Sequence, residues 1–199
     1  CENVTVTNCT LSTRSAGLKI GTETHANFSN IAFSNCAIFG NGAFRPDGVC
    51  LEAVDGALVR GVTVSNISMR HVSAPVFVRV AARAAASRLE DAVITNIVAV
   101  DAATTSSITG IPSQAVANVS VSDARMVMTG GGDASLSGID VPEKEAAYPK
   151  GRMWGQLPAY GLFLRHARGL ALRNIDISCE EPDARPSMIA DDVEGVVVD

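Results

Sequence analysis

A short unit returns along the whole chain, and it limits the fold more than any other feature. It reads apolar, small polar, apolar, small polar, Asn, as in Val4-Thr5-Val6-Thr7-Asn8, Ile31-Ala32-Phe33-Ser34-Asn35 and Val62-Thr63-Val64-Ser65-Asn66. Variants follow at Val93-Ile94-Thr95-Asn96, Val119-Ser120-Val121-Ser122-Asp123 and Leu170-Ala171-Leu172-Arg173-Asn174. From Asn8 to Asp123 the closing residues are spaced 27, 31, 30 and 27 apart, and Asn174 follows after 51. A fixed period of this size is the signature of a solenoid in which each repeat is one coil.

Between these units runs a second series of short alternating segments: Leu18-Lys19-Ile20, Val49-Cys50-Leu51-Glu52, Val76-Phe77-Val78-Arg79, Ile108-Thr109 and Leu162-Phe163-Leu164-Arg165. Both series have the period of two that marks strands, and Gly, Asn, Ser and Pro bound them. No stretch sustains a helical period. Two strands per coil predict an all-β, right-handed parallel β-helix of about six coils, with equivalent strands stacked about 4.8 Å apart. Leu18, Ile20, Val49, Leu51, Val76, Val78, Leu162 and Leu164 then point inward, and the residues between them outward. The closing Asn residues suit left-handed backbone and predict a ladder of buried amide hydrogen bonds. A leucine-rich repeat needs a denser Leu pattern, and a β-sandwich needs more hairpin turns than the single Asn41-Gly42.

Composition narrows the classes of function. A formal charge of -5 with no Lys/Arg cluster predicts no nucleic-acid partner. The sequence also has no apolar run of about 18 residues, so no membrane partner is expected. Five cysteines without CxxC spacing read as free, buried thiols, so no metal or cofactor is expected. The sequence opens and closes inside strand-like segments, Val4-Thr5-Val6 and Val196-Val197-Val198. That reads as a single β-helix domain, 1–199, cut from a longer chain, with an excursion at about 130–158. N-x-S/T sequons at Asn3, Asn8, Asn27, Asn66 and Asn118 arise from the repeat itself.

The run Ser15-Ala16-Gly17-Leu18-Lys19-Ile20-Gly21-Thr22-Glu23 resembles the G-H-G-L-S-I-G-S segment of glycoside hydrolase family 28, the polygalacturonase-like enzymes. Gly48-Val49-Cys50-Leu51-Glu52 looks like the strand bearing that family's R-I-K motif, and Leu157 to His166 with Asp183-Ala184-Arg185-Pro186 looks like its C-terminal coils. The resemblance implies hydrolysis of pectin-type uronic-acid glycans with inversion, a polysaccharide partner, and an extracellular or periplasmic setting. Ala16, Cys50 and Glu52 stand where the motifs have His, Arg and Lys, so those roles do not carry over. The family's catalytic aspartates are expected on coils before Cys1, and this segment alone is expected to be inactive.

Outward positions on the second series are the substrate-binding candidates. Lys19, Glu52 and Arg79 share one expected face, where Lys and Arg could pair with uronate carboxylates. The plainer reading of the three is an exposed ion-pair ladder. Arg165, His166 and His25 end candidate cleft strands, and His71 reads as a turn residue. Asp55-Gly56 reads first as a turn, and Asp183 with Arg185 as a loop salt bridge. Trp154, the only Trp, either stacks on a sugar or anchors the excursion. A β-helix polysaccharide lyase and a non-catalytic carbohydrate-binding or adhesion solenoid are the alternatives.

Overall fold

A computed structural model describes residues 1–199 as a right-handed parallel β-helix of about seven turns. One stack contains β1 (Glu2–Thr7), β4 (Phe28–Phe39), β6 (Leu58–Val72), β8 (Arg88–Ala102), β10 (Val116–Gly130), β12 (Ala171–Glu181) and β14 (Val197–Val198). The other contains β3 (Ala16–Ile20), β5 (Asp47–Asp55), β7 (Val76–Ala85), β9 (Ser106–Thr109), β11 (Leu162–Arg168) and β13 (Met188–Glu194). The short β2 (Thr10–Leu11) pairs with β4. The ladders between strands are parallel, and the two antiparallel bridges, Asn41 to Phe44 and Ile111 to Gln114, only close tight turns. Six coils were expected from the sequence. The first stack has one layer more, because β14 adds a seventh.

The repeating unit is one flat facet of the coil. In β6 the buried residues are Val59, Val62, Val64, Ile67, Met69 and Val72, so the inward spacing alternates between three and two. Each step of three crosses a left-handed residue: Gly61 (φ 63°), Asn66 (φ 57°) and His71 (φ 57°). One extra residue in this conformation turns the chain, as a β-bulge does, and returns the next apolar side chain to the interior. Asp91, Asn96 and Asp101 repeat the pattern in β8, with φ of 57°, 53° and 55°. Asn, Asp and His tolerate this region better than branched residues do, which is why they occupy the corners.

The corner residues stack from coil to coil. Asn96 Nδ2 donates to Asn66 Oδ1 at 2.7 Å, Asn66 Nδ2 to Asn35 Oδ1 at 2.8 Å, and Asn174 Nδ2 to Asp123 Oδ1 at 2.8 Å. Asn30 and Asn3 form a second ladder at 2.7 Å. The ladder is exposed, contrary to the sequence expectation, because a left-handed corner points its side chain away from the core. Inside, 36 buried apolar residues form one continuous cluster, and it includes all eight predicted inward positions of the second stack. The cysteines are free, as expected, but only Cys36 and Cys50 are buried; Cys9 and Cys179 are partly covered and Cys1 is exposed.

Candidate functional site

The outer face of the second stack is where the candidate side chains gather, and it is not open. Residues 131–161, between β10 and β11, cross it as a strap whose only regular element is a 3-10 turn, Ala134–Gly138. Under the strap lie two outward rows. Register places Lys19, Cys50, Phe77, Ser107 and Phe163 in one, and Glu52, Arg79, Thr109 and Arg165 in the other. Cys50 and Phe77 pack against Met153 and Trp154, and Phe163 packs against Val141 and Leu157. Trp154 anchors the strap: its ring lies 6.1 Å from that of Phe77, and its Nε1 donates to Pro142 O at 2.9 Å.

The predicted register holds, but the predicted exposure does not. Lys19, Glu52 and Arg79 do face outward, yet Glu52 and Arg79 are fully buried, Arg79 beneath the strap and Glu52 beneath Gly21. Arg79 donates to Gly110 O at 2.7 Å and to Glu143 O at 2.6 Å, and its charge centre lies 5.3 Å from the Trp154 ring. Burial lowers its pKa to about 10. Arg165 is buried too, donating to Val141 O at 2.6 Å and lying 3.2 Å from Glu143 Oε1. His166 sits between Glu143 Oε1, at 3.0 Å, and Asp192 Oδ2, at 2.5 Å. Arg79, Arg165 and His166 therefore hold the strap down. The expected ion-pair ladder is only half formed, since Glu52 pairs with Lys19 at 2.9 Å while Arg79, its neighbour in register, turns to the strap.

What stays accessible is the border of this face at the strap's edge. Lys19 keeps 20% of its side chain exposed, and its Nζ lies 5.3 Å from the Tyr148 ring centre. Tyr148 is exposed, and its hydroxyl accepts from Thr22 Oγ1 at 3.3 Å. Beside it, Arg83 is gripped by both Asp55 oxygens at 2.8 Å and by Glu23 Oε1 at 2.8 Å. Asp55 Oδ2 also accepts the Glu23 backbone N–H at 2.9 Å, a contact to the neighbouring coil and not to its own turn. His25, largely exposed, lies 3.1 Å from Glu23 Oε2. The side chains the structure brings together are thus Lys19, Glu52 and His25 from the predicted set, joined by Glu23, Asp55, Arg83 and Tyr148.

The carboxyl groups of this cluster are divided electrostatically. Hydrogen bonds from Arg83 hold Asp55 and Glu23 below the ordinary carboxylate range. Glu52 goes the other way: burial penalises its charged form more than Lys19 favours it, and its pKa rises to about 7. Its Oε1 has no hydrogen-bond partner. Gly21 closes over it with φ of 107°, and a Cβ there would come within 2.7 Å of Glu52 Cβ. Lys19 remains cationic, its pKa raised by Glu52 despite the opposing burial. Below about pH 7, then, the Arg83 charge is matched by two carboxylates while Lys19 has no ionised partner.

The fold and this border describe a parallel β-solenoid with a charged, aromatic-edged outer border. No protein-family model matches the chain, and no match was found among curated proteins or solved structures.

Proposed function

We propose that this chain is the substrate-binding part of a polysaccharide-cleaving hydrolase of the polygalacturonase type, acting on an acidic glycan. A parallel β-solenoid is consistent with polysaccharide-active and carbohydrate-binding proteins. The observation that carries the reading is Lys19, partly open at the cleft border beside the face of Tyr148 and with no ionised partner when Glu52 holds its proton. An ammonium beside an aromatic ring suits a uronate residue, whose carboxylate meets the cation while its ring lies against the aromatic face. Arg83 is a poor alternative contact, since three carboxylate oxygens already occupy its fork. Hydrolysis with inversion also needs an acid and a base roughly 6.5–9.5 Å apart, a separation that adjacent coils of a solenoid can supply.

Incubating the protein, in its full chain, with polygalacturonate under NMR observation tests this reading. Reducing ends of inverted anomeric configuration are expected, and Lys19→Ala should weaken polymer binding by about tenfold, the loss of one charge-assisted contact. Unsaturated products would instead mark a lyase. Binding without any product would mark a non-catalytic module.

A further inference from the structure

A second recess lies at the opposite border of the same strap, where the chain turns from β8 into β9 and from the strap into β11. It encloses about 270 Å³, just under the roughly 300–1,000 Å³ of ordinary small-molecule sites. That is room for one sugar ring and not for a polymer. Thr129, Arg152, Gln156, Tyr160 and Arg185 contribute its polar wall, and no acidic residue lines it.

Arg185 is a built-in cation. Its Nε and Nη2 donate to the two Asp183 oxygens at 3.0 and 2.7 Å, its Nη1 donates to Leu157 O at 3.0 Å, and only 10% of its side chain is exposed. Asp183 is fixed in turn by the backbone N–H groups of Gly132 and Arg185, with its pKa held at about 2, chiefly by Arg185. Gly132 is required here, because a Cβ at that position would collide with Arg185 Nε. A guanidinium has five N–H groups. Three are used, so two remain on a side chain that cannot move. Across the recess, the Arg152 and Gln156 side chains make no hydrogen bond or ion pair, and the Tyr160 hydroxyl makes a long contact, 3.5 Å, with Ile177 O.

We infer that this recess binds the carboxylate of a single uronic-acid residue, with Arg185 as the fixed anchor and Arg152 closing on the anion from the exposed side. Arg152, which has no ion-pair partner, supplies the unmatched charge that selects an anion, and the two spare N–H groups of Arg185, whose charge Asp183 already matches, add fixed donors. The neutral donors and acceptors of Thr129, Gln156 and Tyr160 suit ring hydroxyls, which a bare phosphate or sulfate lacks. The choice of a sugar acid rests on the acidic-glycan reading above, whereas anion selectivity follows from the recess itself.

Calorimetric titration of the full chain with galacturonate, galactose and inorganic sulfate separates the outcomes. Galacturonate should bind, galactose should not, and sulfate should bind at least about tenfold more weakly than galacturonate. Arg152→Ala, at an exposed position, should weaken galacturonate about tenfold without changing the unfolding temperature. A galacturonate signal that survives Arg152→Ala but is lost in Lys19→Ala would belong to the border beside Tyr148 and overturn the recess assignment, so the two readings fail separately. Absence of galacturonate binding, equal binding of sulfate, or affinity unaltered in Arg152→Ala would overturn the assignment.

Discussion

Replacing Glu52 by Gln should remove the pH dependence of stability that this carboxyl contributes between mild acid and neutrality. In the folded chain the carboxyl keeps its proton to about pH 7, whereas the ordinary value is 4.5. The native state therefore binds the extra proton across that interval. The stability linked to Glu52 is complete below about pH 4.5, falls as the pH climbs, and is lost above about 7. A displacement of this size corresponds to about 3 kcal/mol. Lys19, Asp47 and Arg83 are the charged groups that act on it; Lys19 and Arg83 oppose the rise and Asp47 adds to it. Gln is neutral at every pH, so the unfolding free energy of the variant, relative to the parent, should shift by about 3 kcal/mol in its favour between about pH 4 and pH 8. In thermal melts that amounts to roughly 6–12 °C for a chain of this length. Urea denaturation at a series of pH values provides the free energies. A difference that stays within about 0.5 kcal/mol across the series would refute both the burial argument and the proton count at the cleft border.

The same reasoning extends to binding: affinity for polygalacturonate should rise in the parent as the pH falls through about 7 and should stay flat in Glu52→Gln, as affinity electrophoresis at several pH values would show. Arg79→Ala should destabilise the fold by about 2–4 kcal/mol, because it leaves the Gly110 and Glu143 carbonyls without their donor; a solvent-exposed Arg would cost under about 0.5. Asn66→Ala should cost about 2–3 kcal/mol through the left-handed corner and two ladder bonds, and Asn66→Gly, which keeps the corner, should cost less. Both are read from chemical unfolding. Trp154→Ala should speed hydrogen exchange across 139–157 and leave the first stack unchanged, since the ring packs on Phe77 and its N–H holds Pro142.

The solenoid was legible because two periods, one of about 30 residues and one of two, point to the same answer. The inward assignment of Leu18 through Leu164 followed from alternation alone, and the buried core contains every one of those residues. The strap's effect was missed for a reason visible afterwards. Outward positions of the second series include Cys50, Phe77 and Phe163, so those strands are apolar on both faces, which is the pattern of a sheet covered on both sides. Reading Lys19, Glu52 and Arg79 as an exposed ladder ignored those intervening residues. Arg83 was invisible to register counting. The pairing jumps from Ala53 opposite Val80 to Asp55 opposite Ala85, and this bulge carries the Arg83 guanidinium onto Asp55. Tyr148 lies 126 residues from Thr22, its hydrogen-bond partner, and no local pattern could join them.

Mapping a bound acidic oligosaccharide onto the protein by amide hydrogen exchange tests most directly whether the outer border of the second stack is the glycan cleft. With oligogalacturonate present, added protection is predicted at Thr22–His25, around Arg83 and at Tyr148, and Lys19→Ala should abolish it. Protection confined to the exposed Asn ladder of the first stack, or no protection at a ligand concentration that saturates binding, would contradict the account.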